Sequence, residues 1–285
     1  MNKRICAFIC MFVIVLFLVP STAYSDTGPK PELTILVENP PTEDYYLDLL
    51  IKEHDNSDNM GDERKEYDSA MLQKLKSLES EGWYPAYSDG ASGLLNGDLI
   101  GKVKGNLRSH TFGYMGVPET YRIIVVTKSG NVQTSDIQKR YVMQSTITYD
   151  YSTGKVSESP VVVSYLIQFL MTCVPTLLIE GIILLLFGFK FKENWKPFLL
   201  VNLGTQILLT ATMGASLIKS GTLSAYIVMF PVELAILIVE MVAYAKLLQG
   251  KSRGRRLAYA ACANLASWIL GFFMISDMFS VISKL

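Results

Sequence analysis

The chain has 285 residues, half of them hydrophobic, with 26 basic and 26 acidic side chains. The balance hides a split: stretch 26–160 carries 14 Lys/Arg against 21 Asp/Glu, and stretch 161–285 carries 10 against 5. An acidic first part without a basic stripe excludes a nucleic-acid partner, which needs a basic footprint. The crowding of apolar residues after Val161 excludes one water-soluble domain of even composition.

Residues 1–25 read as a secretory signal peptide. Lys3 and Arg4 precede an apolar core from Ile5 to Val19, and Ala23-Tyr24-Ser25 places small residues at a cleavage spacing. The exported domain expected over 26–160 has no cysteine, because Cys6, Cys10, Cys173 and Cys262 all lie outside it, in or beside apolar runs. Disulfides therefore do not hold it together, and it must fold on an apolar core.

Within that domain Leu33, Ile35 and Val37 alternate with more polar neighbours, which predicts a strand ended by Asn39-Pro40-Pro41. Residues 45–51 alternate again, with Tyr45, Leu47, Leu49 and Ile51 on one face. After a polar stretch, Met71, Leu75 and Leu78 predict a helix over 66–79, closed by Gly82. Trp83-Tyr84-Pro85 and Tyr87 read as an aromatic loop. Asn96-Gly97 predicts a hairpin between Leu94-Leu95 and Leu99-Ile100. A buried strand is expected over 121–127, then a turn at Ser129-Gly130-Asn131. A long strand over 140–149 would put Tyr141, Met143, Ile147 and Tyr149 on one side. Short strands between turns, with one helix, predict a β-rich, sandwich-like domain.

Three patterns in this domain bear on chemistry. Asp55, Ser57, Asn59, Glu63 and Glu66 have the spacing of a calcium-loop ligand set, but Met60 stands where the sharp turn wants glycine. Gly93, Gly97, Gly101 and Gly105 recur every fourth residue, yet Asn96 and Val103 break the phosphate-loop pattern around Gly101-Lys102, which leaves turn glycines. His54 and His110 stand in separate segments with no metal or nucleophile–base pattern, and no zinc-protease or nucleophile-elbow motif occurs. No catalytic residue is assigned.

After Val161 four runs, 161–189, 197–218, 223–248 and 257–282, are each long enough to cross about 30 Å of hydrocarbon. The expected fold is thus a membrane protein, with an exported β-rich domain followed by a four-helix transmembrane bundle. Lys190, Lys192 and Lys196 in one connecting loop, and Lys251, Arg253, Arg255 and Arg256 in another, put both loops in the cytoplasm. Residues 26–160 and the C-terminus then face outside, and the expected location is a cell envelope.

The polar residues inside these runs are not scattered. Counted at about 1.5 Å per residue from each cytoplasmic end, Glu180, Asn202, Gln206, Glu240 and Asn264 fall in one layer, roughly 7 to 14 Å deep. Glu233 comes one step further out. No histidine and no basic residue accompanies them at that depth. Ionisable groups there are costly, so the cluster reads either as neutral glue between helices or as a proton or monovalent or divalent cation site. Two functions follow. One is a non-enzymatic envelope protein whose outer domain binds a protein or small ligand and signals through the helices that anchor it; the other is a proton- or cation-coupled transport component. Four helices are few for a transporter, so the second requires a homo-oligomer or a partner membrane subunit.

Overall fold

The computed structural model describes residues 28–53, 55, 58–90 and 93–284. The signal peptide expected over 1–25, together with His54 and Ser57, lies outside the described residues. In chain order the first part comprises β1 (Glu32–Glu38), β2 (Tyr45–Ile51), α1 (Ser69–Leu75), β3 (Tyr84–Pro85), α2 (Ala86–Asp89), β4 (Lys102–Lys104), β5 (Leu107–Gly113), β6 (Thr120–Thr127), β7 (Val132–Thr134), β8 (Gln138–Lys139), β9 (Gln144–Asp150) and β10 (Lys155–Glu158).

These strands make two sheets around one core. The first has the order β10-β9-β1-β5-β4, and the second β3-β2-β6-β7 with β8 also paired to β6. β1 is central in the first sheet, antiparallel to β5 and parallel to β9. Its alternation is as expected, with Leu33, Ile35 and Val37 fully buried. β2 departs from expectation because all seven of its residues are buried. One face looks at the first sheet; α1 and α2 cover the other. A strand covered on both sides loses its polar face.

Four local expectations are corrected. The helix starts at Ser69 rather than 66, because the Asp68 carboxylate accepts the Ala70 and Met71 amides and caps it there. It tightens after Leu75 and ends at Gly82, whose φ of 76° is the expected left-handed stop. The aromatic stretch is not a loop: Tyr84 and Pro85 pair with β2, and Trp83 is buried between Lys52 and Arg122. Asn96-Gly97 makes no hairpin; Asn96 pairs with Gly113, and Gly97 lies flat on the Tyr87 ring, where a Cβ would come within 2.5 Å of Cγ. The tight turn is Gly105-Asn106 between β4 and β5, with φ of 64° at Gly105. There glycine occupies the first turn position, which needs positive φ. Finally, the strand expected over 140–149 begins only at Gln144, and Tyr141 is exposed. The Arg140 guanidinium draws the preceding chain out of the ladder by donating to the carbonyls of Val142 and Met143 at 2.7 and 2.8 Å.

The second part is helical: α3 (Val161–Leu186), α4 (Phe191–Leu209), a π turn at Thr210–Gly214, α5 (Ala215–Leu247) and α6 (Arg253–Ile282). Three stretches are long and apolar enough to cross a membrane: Val161–Leu186, Phe191–Leu247 and Arg253–Ile282. The middle one is 57 residues long and is folded. Gly221 has φ 78° and ψ −171°, which no helix contains. Ser216 meets Ser224 across this bend, while Thr205 meets Glu240 and Asn202 meets Tyr244 further down. The two arms are therefore antiparallel. α4 begins at Phe191, not at Pro197, which it carries inside.

The helices are inside out relative to a water-soluble bundle. On α3, Ser164, Gln168, Thr172, Thr176 and Glu180 recur every fourth residue and are buried. On its opposite face Val162, Leu166, Leu170, Val174, Leu178 and Ile182 are 47–66% exposed.

The β-rich part sits at the Gly221 end. The Met143 amide donates to the Ile218 carbonyl at 2.8 Å, and Val161 and Ile282 share one crevice with Val142 and Gln144. At the other end the two basic connections lie together. Gln249 donates its amide to Asn194 Oδ1 at 2.8 Å, and Lys251 and Arg255 flank Gly188.

Candidate functional site

The polar residues expected in one layer meet in the middle of the helical part. Glu240 on α5 accepts the Thr205 hydroxyl from α4 at 2.8 Å and the Asn264 amide from α6 at 3.3 Å. Glu180 on α3 accepts the Ser267 hydroxyl from α6 at 2.9 Å. Asn202 donates its amide to the Tyr244 hydroxyl at 2.7 Å, and Gln206 donates to Thr176 Oγ1 at 3.3 Å. All five residues of the layer, Glu180, Asn202, Gln206, Glu240 and Asn264, are buried, as is Glu233 one step further out.

The helical spacing explains the convergence. Glu233, Glu240 and Tyr244 share one stripe of α5, and Asn202 and Gln206 one of α4. Small residues Ala260 and Ala263 on α6 are fully buried and let that helix approach closely. Every helix thereby contributes at least one hydrogen bond to another. A buried polar group without a partner costs about 1–3 kcal/mol, so these contacts fix which faces meet.

Glu180, Gln206, Glu233, Glu240 and Asn264 surround a cavity of about 20 Å³, counted as space for the centre of a water molecule. A single water needs about 10–15 Å³ on that measure, so the cavity fits one or two small species and no organic ligand. Among the buried atoms, Glu180 Oε2, Asn202 Oδ1 and Gln206 Oε1 have no protein partner. Lys246, which falls within the run expected over 223–248, lies in the last turn of α5 and is exposed, away from the layer.

Two polar contacts of the helical part were not anticipated. Asn194 is fully buried and closes the basic end by taking the Gln249 amide. It precedes Asn202 by two helical turns, so the signal existed, hidden by placing the helix start at Pro197. The Gln168 amide is buried against Gly214 of the π turn, where a Cβ would fall 2.5 Å from its Oε1.

Of the calcium-like set, Ser57 lies outside the described residues, and Asn59, Glu63 and Glu66 are turned to other tasks or to the surface. Asn59 gives its amide group to the Ala86 carbonyl and its oxygen to the Leu95 amide. Glu63 accepts the Tyr87 hydroxyl at 3.1 Å, and Glu66 is exposed. Asp58, outside the expected set, organises the turn through Met60, Gly61 and Arg64. Among the described residues no three His, Cys, Asp or Glu side chains converge as a metal site, Asp55 included.

Two buried titratable groups shape the β-rich core. Asp48, under α2, accepts the amides of Leu49, Tyr87 and Ser88 at 2.7, 3.1 and 2.9 Å. Burial still pushes its carboxyl up to about 6. His110 hydrogen-bonds through Nδ1 to the Asp98 carbonyl at 2.9 Å and through Nε2 to the Tyr45 hydroxyl at 3.1 Å. Burial pushes it down to about 4, so the neutral ring donates at Nδ1 and accepts at Nε2.

No family model, curated protein or solved structure matches the chain. The geometry carries the functional reading.

Proposed function

We propose that the chain is a non-enzymatic integral membrane protein whose β-rich domain binds a ligand or partner outside the bilayer and passes its state to a four-span helical module. The observation that carries this reading is the joint at Met143. Its amide donates to Ile218, and its carbonyl accepts the Glu32 amide of β1 at 3.0 Å. The Ile218 carbonyl stands at the end of a helical arm, where the bend at Gly221 interrupts the helix, and such terminal carbonyls need a donor from outside the helix. The β-rich domain supplies it. A shift of β1 therefore pulls on the helical bend through one residue.

The bilayer as partner is supported by the inside-out bundle: exposed leucine, isoleucine and valine on α3 suit hydrocarbon and not water. Four spans are supported by the bend at Gly221 and by the ends of the helical part, Val161 and Ile282, lying on the same side. The gathering of both basic connections at the opposite end supports a cytoplasmic placement for them, with the β-rich domain and the end of α6 outside.

Replacing Arg140 with alanine tests the joint. Arg140 also donates to the Val117 carbonyl at 3.4 Å, so the variant loosens the segment leading into Met143. Hydrogen exchange in the reconstituted protein should accelerate at least about tenfold at Met143 and over 215–222, and also around Asn202 and Tyr244, with β2 and β6 unchanged. Faster exchange at Met143 alone would mean that the two parts are merely tethered, and the reading fails.

A further inference from the structure

The cavity between α3, α4, α5 and α6 lacks a positive partner. Two of its lining side chains, Glu180 and Gln206, are 0% and 6% exposed, and each has an oxygen without a protein partner, Oε2 and Oε1 respectively. Asn202 Oδ1, in the same layer, is a third such oxygen. All three are acceptors. Four donors of the layer already have partners: the Thr205 hydroxyl and Asn264 amide go to Glu240, the Ser267 hydroxyl to Glu180, and the Gln206 amide to Thr176, while the buried Tyr259 hydroxyl has none. Among the described residues no lysine, arginine or histidine is buried in the helical part, although Glu233 and Glu240 also face the space.

A volume of about 20 Å³ suits one small ion. The carboxylates do not converge as a metal site, which disfavours calcium or another divalent ion that wants several charged oxygens.

We propose that this cavity binds one monovalent alkali cation, held by Glu180 and Gln206. One carboxylate with a neutral amide oxygen balances a single positive charge. These ligands come from α3 and α4, so the ion ties those two helices together. It stands whether or not the β-rich domain binds a ligand.

The test is thermal unfolding of the purified full-length protein in sodium, potassium and lithium chloride, with N-methylglucamine chloride holding ionic strength constant. At a roughly hundredfold excess over Kd, at least one alkali cation should raise Tm by about 5 °C or more over the organic-cation control. Glu180→Gln should abolish the shift, and Gln206→Leu should weaken the apparent affinity at least about tenfold. If either variant fails to fold, binding of radiosodium or radiorubidium to the wild type should approach one ion per chain. The proposal is overturned if no alkali cation shifts Tm, if only pH shifts it, if the shift persists unchanged in both variants, or if neither radioactive cation binds.

Discussion

Replacing Gly221 with valine is expected to destabilise the protein by about 2–6 kcal/mol, the larger part of it at the junction between the β-rich domain and the helices. Two costs add. Gly221 sits at φ 78° and ψ −171°, a conformation that costs a side-chain-bearing residue about 1–3 kcal/mol. A Cβ there would also fall 2.6 Å from Met143 Sδ and 3.0 Å from Pro29 Cγ. The methionine can swing away, but Pro29 is held by its ring, and overpacking of this kind costs about 1–3 kcal/mol. The bend would open, and Met143 would leave the Ile218 carbonyl. Thermal unfolding should show Tm lowered by roughly 5–20 °C. Gly204→Ala provides the opposite sign. Gly204 is inside α4 with nothing within 4 Å of a new Cβ, so alanine should stabilise by about 0.5–1 kcal/mol. Equal effects from both substitutions would remove the special role given to the bend.

The second large effect is a pair of opposed pH dependences in the β-rich core. Asp48 titrates near 6 when folded, above the usual carboxylate value of about 4. Between those pH values the folded state holds more protons than the unfolded one. Asp48 therefore adds stability at low pH that is lost as pH rises through about 6. His110 behaves in reverse: its folded value near 4 lies below the usual 6.5 or so, and the unfolded state holds more protons. Its contribution is present above about 6.5 and is lost as pH falls through about 4. Each spans about two pH units or slightly more, or about 3 kcal/mol. On acidification from 6.5 to 4, His110→Asn should gain about 3 kcal/mol relative to wild type, and Asp48→Asn should lose a similar amount. Chemical denaturation followed at Trp83, with Trp195 and Trp268 replaced by phenylalanine, reports this core. Parallel pH curves for both variants and wild type would contradict the burial of either group in its neutral form.

Much of the site was legible in the sequence because helical depth is a simple count. Residues an equal number of turns from a basic loop arrive at the same level, and Glu180, Asn202, Gln206, Glu240 and Asn264 line up for that reason. Their partners were less legible. Nothing in spacing says that Glu240 takes Thr205 and Asn264 while Glu180 takes Ser267, because rotation of each helix about its axis settles that. In the β-rich part, alternation marked β1, and a run of apolar residues marked the buried strand β6. It misled at β2, where helices cover the second face and hide the period. It misled again before β9, where Tyr141 and Met143 continue the alternating pattern but Arg140 binds the local carbonyls and turns the chain away. The joint itself depends on Met143 meeting Ile218, a pairing between distant segments with no local signature.

The most direct measurement is the sidedness of three engineered cysteines, Ser152→Cys, Lys219→Cys and Lys192→Cys, each in a background whose native cysteines are replaced by alanine. All three positions are exposed: at the tip between β9 and β10, at the bend beside Gly221, and at the start of α4. In intact cells a membrane-impermeant maleimide should label Ser152→Cys and Lys219→Cys, and should reach Lys192→Cys only after permeabilisation. That pattern requires α3 and α4 each to cross the bilayer, with the β-rich domain and the Gly221 bend on one side of it and the start of α4 on the other. Labelling of Lys192→Cys together with either of the others before permeabilisation would contradict it, and the coupling across Met143 would lose its frame.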